Sequence, residues 1–231
     1  MWRRTKASSS SELANVLRGE CERVSAIVDD LGEKDFGRPT RCPPWSVKDL
    51  LGHMYRDVDR LGTALEAPPN LPVEHDAVSY WRTYDPVADG PDIADRAKEI
   101  SDAYATGEEL ARDFDAMWPA RVSAAGEADP SRSVQTFGPV LRLDEFLRTR
   151  ILELSVHRLD LLEALGRDRD VDAPAARVVV GVLDGLLGQV RPDELGWTDV
   201  EYIEAGTGRR AISAEERATL GELADRFPLL G

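Results

Sequence analysis

The sequence predicts a mainly α protein: a four-helix bundle over residues 1–166, followed by a small C-terminal α+β extension over 167–231. Three observations point there. Four long stretches carry apolar residues at helical spacing, capping residues and breakers separate them, and no run of alternating strands precedes residue 166. At 231 residues the chain is long enough to bury a full core.

One of Ser9 to Ser11 is expected to cap the first helix, which runs to about Leu31 with Leu13, Val16, Leu17, Val24, Ile27 and Val28 on its apolar side. Gly32 ends it, and a breaker-rich loop follows to Pro44. Ser46 and Asp49 resemble a capping box, with Asp in place of the longer Glu, and predict a second helix over Val47 to Glu66. Residues 67–90 are Pro-rich and aromatic and read as a crossing loop with room for a short helix. Pro91 suits the first position of a third helix, broken near Gly107 and ending near Ala125. Val134 to Leu143 reads as an extended connection, and Asp144 begins a fourth helix that Gly166 terminates near Leu165. In the extension, a helix over Pro174 to Val190 precedes a hairpin expected at Gly206-Thr207-Gly208, and an amphipathic helix follows from Ser213 to Asp225.

Composition narrows the function. Hydrophobic residues make up 42% and charged residues 31% of the chain, in the range of a folded soluble protein. Asp and Glu number 43 against 29 Lys and Arg, and a net charge of -14 disfavours nucleic acid and anionic lipid as partners. No apolar run approaches the roughly twenty residues of a membrane span. The start, Met1 to Lys6, is basic, but no apolar signal segment follows it, and two cysteines are too few for a disulfide framework. A cytoplasmic protein with Cys21 and Cys42 reduced is the expectation.

Chemistry centres on the three histidines. Glu153 and His157 are four residues apart, so they share one helix face. At about 100° per residue, Arg150, Glu153, His157 and Asp160 form a narrow polar strip. Leu147, Leu154 and Leu161 flank it on one side, and Leu152, Val156 and Leu159 on the other. A helix apolar nearly all round is buried, and a buried carboxylate with an imidazole calls for a cation. The competing reading is a solvated Glu–His pair, which on spacing alone is the commoner case. His53 borders the apolar stripe of the second helix with Asp57 one turn on. There it is either a core-edge hydrogen-bonder or a ligand, and Asp57 orients it, joins it as a ligand or faces water. His75 reads as a loop surface residue. Cys42 reads as a buried structural thiol, for nothing in the sequence supplies it a catalytic partner. No phosphate-binding Gly loop, nucleophile elbow or Cys-x-x-Cys pair is present.

The segment from Cys42 through Pro43-Pro44-Trp45-Ser46-Val47 to His53 resembles the entry to the second helix in mycothiol-dependent maleylpyruvate isomerase-like proteins, part of the DinB-like metal-binding helical bundles. Glu153-Leu154-Ser155-Val156-His157-Arg158-Leu159-Asp160-Leu161 is similar to their second signature, and the stretch from Gly206 to the final Pro228-Leu229-Leu230-Gly231 resembles their C-termini. The resemblance implies a divalent metal held by His53, Glu153 and His157, zinc first, with nickel or iron as alternatives. It implies mycothiol or a similar thiol as cosubstrate, and a transferase or isomerase acting on a small electrophile. A non-catalytic small-molecule binding or stress-response protein on the same bundle is the alternative. Asp57, Arg150, Asp160 and Arg209 are candidates for supporting the ligands or touching substrate, as a monomer or homodimer. The resemblance departs at the end of the chain. The isomerase has a fuller C-terminal α/β domain that helps form its active site, whereas about sixty-five residues follow the bundle here. Arg209 and Arg210 either reach the cleft and hold an anionic substrate or lie on a solvated hairpin, the reading that the sequence favours.

Overall fold

A computed structural model describes residues 10–135 and 138–230. The basic segment Met1 to Lys6 and the candidate cap Ser9 lie outside the described residues. The elements in order are α1 (Ser10–Val28), α2 (Glu33–Phe36), α3 (Val47–Glu66), α4 (Ala77–Arg82), α5 (Pro86–Asp102), α6 (Gly107–Glu127), β1 (Ser133–Gln135), β2 (Val140–Arg142), α7 (Leu143–Ala164), α8 (Ala173–Leu187), α9 (Asp199–Gly206) and α10 (Ala214–Leu220). α1, α3, α6 and α7 pack around one core. The expected bundle is therefore present, with its third helix divided into α5 and α6. No helix among the described residues is long and apolar enough to cross a membrane.

α3 spans the predicted residues because its cap works as read. The Ser46 hydroxyl accepts from the Asp49 backbone N–H, and the Asp49 carboxylate accepts from the Ser46 N–H at 3.0 Å. Leu50, Leu51, Met54, Val58 and Leu61 then enter the core fully buried, against Leu13, Leu17 and Val24 of α1 and Phe114 of α6. α5 approaches α3 closely at Gly52, where an added Cβ would stand 2.8 Å from the Ala97 carbonyl oxygen. α7 is buried on nearly every side, as its apolar circumference predicts, because α1, α3, α4 and α8 surround it. Its one buried arginine toward α1 is paired inside the core: Arg158 Nε donates to Glu20 Oε2 at 3.2 Å. Gly166, at φ +66°, ends the helix.

Several expectations need correction. Ser10 and Ser11 lie within the described helix α1 rather than capping it, and the Ser10 hydroxyl donates to the Ala128 carbonyl at 2.7 Å, tying this part of α1 to the end of α6. Pro91 does not begin the third helix. Asp85 accepts from the Val87 and Ala88 N–H groups and Pro86 takes the first position, so the helix starts earlier and Pro91 lies inside it. The extended stretch before α7 is an antiparallel pair, β1 with β2, in the register Ser133 to Arg142, Val134 to Leu141 and Gln135 to Val140.

The expected hairpin at Gly206-Thr207-Gly208 is instead the end of α9. Thr198 and Glu201 form a capping box, Tyr202 and Ile203 are buried, the Thr207 hydroxyl donates to the Ile203 carbonyl, and Gly208 turns the chain at φ +74°. The described elements after Gly166 are thus all helical; α8 packs on α7, and α9 packs on α8. The helix expected over Ser213 to Asp225 is α10, capped by Ser213, which ends at Leu220 and is followed by a 3-10 turn over Gly221–Arg226.

Candidate metal centre

α3 and α7 each present two polar groups one turn apart, and the helix pairing brings the two sets face to face. His53 and Asp57 come from α3; Glu153 and His157 come from α7. Glu153 Oε2 lies 3.1 Å from His53 Nε2 and 3.2 Å from His157 Nε2, and the three atoms all fall within 4.8 Å of one another. The imidazole rings meet edge to face, 4.7 Å between centroids, and the Trp45 ring covers His53 at 4.8 Å. Both histidines are buried.

The other nitrogen of His157 is tied down. Nδ1 lies 2.9 Å from Asp160 Oδ2, and Asp160 is fully buried. Three further groups converge on that carboxylate: Arg41 Nε at 2.6 Å, Arg209 Nη2 at 3.1 Å and Cys42 Sγ at 3.1 Å. Across the site Arg150 donates to Asp57 Oδ1, and Asp57 Oδ2, 3.3 Å from His53 Nε2, makes no hydrogen bond although buried.

These contacts set the charges. Burial disfavours ionisation of Glu153, but hydrogen bonds and charge from His157 and His53 outweigh it and hold its carboxyl well below the usual range. Burial likewise opposes protonation of His157, yet Asp160, Cys42 and Glu153 carry it well above an ordinary imidazole. Asp160 is pushed far down, burial being overcome by His157 and Arg209.

The donor set fits a divalent ion. Zinc–ligand bonds of about 2.0–2.2 Å place two ligands of one ion about 3.0–3.5 Å apart, the spacing of Glu153 Oε2 from both imidazole nitrogens. Two nitrogens and one carboxylate oxygen suit zinc, nickel or ferrous iron. A second trio, Cys42, His157 and Asp160, also gathers three donor atoms, but the Arg41 and Arg209 guanidiniums on Asp160 oppose a cation there.

The trio His53, Glu153 and His157 opens on a cleft of about 530 Å³ whose lining includes Tyr80, Trp81 and Tyr84 and the arginines Arg56, Arg60 and Arg96. The structure places His53, Asp57, Arg150, Glu153, His157 and Asp160 beside one another. The sequence reading placed Arg209 on a solvated hairpin, whereas Arg209 lines the cleft and binds Asp160; Arg210 instead lies over the Trp197 ring and pairs with Glu216. Cys42 was expected to be buried and structural, but it is half-buried, lines the cleft and touches Asp160. His75 bridges to Leu141 away from the cleft lining. Arg41, Arg56, Arg60 and Arg96 were not anticipated. The i, i+4 spacing of Arg56 and Arg60 beside His53 and Asp57 on one helix is the signal that would have found two of them.

A family model described as the mycothiol maleylpyruvate isomerase N-terminal domain matches residues 17–162. The chain belongs to this family. The matched segment contains all three triad residues and ends before the residues that supply Arg209. The crystal structure of the mycothiol-dependent maleylpyruvate isomerase is similar to this chain at 17% identity and a TM-score of 0.49, over 81% of this chain and 73% of that one. No curated protein matches the chain.

Proposed function

We propose that the chain binds one divalent metal ion, zinc first, through His53, Glu153 and His157, and uses it to transfer or isomerise a small electrophile with a low-molecular-weight thiol of the mycothiol kind. The observation that carries this reading is the convergence of three metal-type donor atoms at the wall of an open cleft. When bound, the ion lowers the pKa of a thiol that reaches it, so that a thiolate is available at neutral pH.

The chain's own residues do the rest. With Nδ1 held against Asp160, His157 directs Nε2 toward Glu153 and His53, where it gives up its proton and offers its lone pair to a bound divalent ion. Arg41 and Arg209 keep Asp160 ionised and fixed, which holds the ring in that orientation. Trp45 shields the His53 ring from water, and Arg150 immobilises Asp57 beside it. The chemistry needs no protein nucleophile. Membership of the thiol-dependent isomerase family supports a thiol as the cosubstrate.

The test is consumption of a chromogenic aryl halide by the purified chain with added thiol. Turnover is expected only when zinc and thiol are both present, and His157→Ala abolishes it. Full turnover in that variant, or without metal, sinks the mechanism; tight binding of thiol and electrophile without turnover supports a non-catalytic binding protein instead.

A further inference from the structure

α5 changes character along its length. Its buried residues, Ala97 and Ser101, both lie in the second half, where the helix packs on α3 and closes on Gly52. The first turn buries nothing: residues 85–89 are all exposed, Val87 to 84%. Its bracing is local. Asp85 Oδ1 accepts from the Val87 and Ala88 N–H groups, the Asp89 carboxylate accepts from the Asp85 N–H at 3.0 Å, and the Asp89 N–H donates to the Asp85 carbonyl at 2.7 Å. A turn held by its own residues rather than by burial is the kind of element that opens while the core stays folded.

The sequence puts a flaw between the two halves. Pro91 lies inside the helix, so the Val87 carbonyl meets no N–H four residues on, and the proline ring crowds that carbonyl. Gly90 stands directly before it, so the two poorest helix formers are adjacent. Nothing from outside its own stretch of helix comes within 4 Å of where a Gly90 Cβ would sit. Such positions are where helices bend, and here there is room for the bend.

The exposed segment nevertheless borders the site. Thr83, Tyr84, Asp89 and Gly90 all line the cleft that holds the trio. Tyr84 is half-buried in an otherwise exposed run, and its ring meets that of Trp81 edge-on at 6.0 Å. Burial first, then the Glu153 carboxylate, holds its hydroxyl above the ordinary phenol range, so the underside of the segment faces the trio. With the segment in this position His53 and His157 are only 7% and 8% exposed.

We propose that residues 83–90 form a lid, bending at Gly90–Pro91, whose outward swing admits ligands to the trio and whose return covers them with the Tyr84 ring. The capped turn moves as a body because its hydrogen bonds are internal, while α4 stays on α7 and α8 and the second half of α5 stays on α3. That the lid shelters a thiolate and an electrophile rests on the thiol-transfer reading above; the motion does not.

Cys42 can report the motion, because its half-buried thiol lines the same cleft whereas Cys21 is fully buried in the core. The test uses the full chain after chelation, so a chain that binds no metal leaves it intact. The amides of Asp92, Ile93 and Ala94 bond back across Gly90–Pro91 in a helix. By NMR they are expected to exchange with solvent at least about 100-fold faster than those of residues 99–101. The double variant Gly90→Ala/Pro91→Ala restores the missing N–H and good helix formers at exposed, uncrowded positions. It is expected to slow both that exchange and the labelling of Cys42 by Ellman's reagent about tenfold, with Cys21 unreactive throughout as the control for folding. Uniform exchange along α5, or Cys42 labelled as fast in the double variant as in wild type, overturns the proposal. These rates as expected, in a chain that turns over no thiol and electrophile, would overturn the thiol-transfer reading and leave the lid standing.

Discussion

Arg209 Nη2 lies 3.1 Å from Asp160 Oδ2, and Asp160 in turn meets Nδ1 of His157 at 2.9 Å. A residue from beyond the bundle thus fixes a candidate metal ligand from behind, with Nε of the same guanidinium 3.3 Å from the other carboxylate oxygen. Removing this support leaves Arg41 and the Cys42 thiol to hold Asp160 against His157. Arg209→Ala is expected to keep the fold but weaken zinc affinity about 10-fold or more, as loss of an outer partner does elsewhere. Competition titration against a chromogenic chelator measures it, and unchanged affinity would contradict the arrangement.

Asp160→Asn acts on the same cluster more severely. The carboxylate is fully buried and answers Arg41, Arg209 and His157, so its loss leaves buried positive charge uncompensated. Destabilisation of about 3–5 kcal/mol is expected in urea unfolding, together with weakened zinc binding.

Glu20→Gln provides the matching control away from the site. Glu20 and Arg158 are 1% and 2% exposed, and Arg158 Nε donates to Glu20 Oε2. A loss of about 3 kcal/mol is expected, with the metal content of the folded protein unchanged. A large fall in metal content would show that the core ion pair and the site are coupled.

Gly52 sits where α3 and α5 nearly touch. A Cβ there would meet the Ala97 carbonyl oxygen at 2.8 Å and the Ser101 backbone nitrogen at 3.2 Å, both backbone atoms that cannot rotate away. Gly52→Ala is therefore expected to cost about 1–3 kcal/mol despite alanine's better helix propensity, measured as a lowered unfolding midpoint. Stabilisation would contradict the close approach.

Asp49 gives the pH test. Burial alone would raise its carboxyl, but hydrogen bonds from the Ser101 and Ser46 hydroxyls and the Ser46 backbone outweigh this and lower it. A carboxylate with a lower pKa folded than unfolded adds stability that is present above the unfolded value. That stability is lost as pH falls through the folded one. Wild type and Asp49→Asn should therefore differ by about 1 kcal/mol near neutrality, with the difference shrinking as pH falls from the ordinary aspartate range of about 3.9 through the lower folded value. A constant difference across that range would contradict the assignment.

How much of this was legible in the sequence depended on whether the signal was local. The Ser46 and Asp49 capping box and the apolar stripe of α3 fixed that helix to the residue, because both act within one or two turns. The polar strip of α7 was visible for the same reason, but spacing alone favoured a solvated face; the packing of α1, α3, α4 and α8 around α7 buries it instead. Thr198 and Glu201 spelled out the cap of α9, yet the glycines after it suggested a hairpin, and burial of Tyr202 and Ile203 in tertiary contacts favours the helix. Arg41 and Arg209 reach Asp160 across 119 and 49 residues. No periodicity within one element records such contacts.

The central claim is that His53, Glu153 and His157 together hold one metal ion. Elemental analysis of the untagged protein, beside His53→Ala and Glu153→Ala, tests it most directly. About one zinc, nickel or iron per chain is expected, lost in both variants while each remains helical by circular dichroism. A chain that takes up no metal even after reconstitution, or variants that retain it in full, would contradict the account.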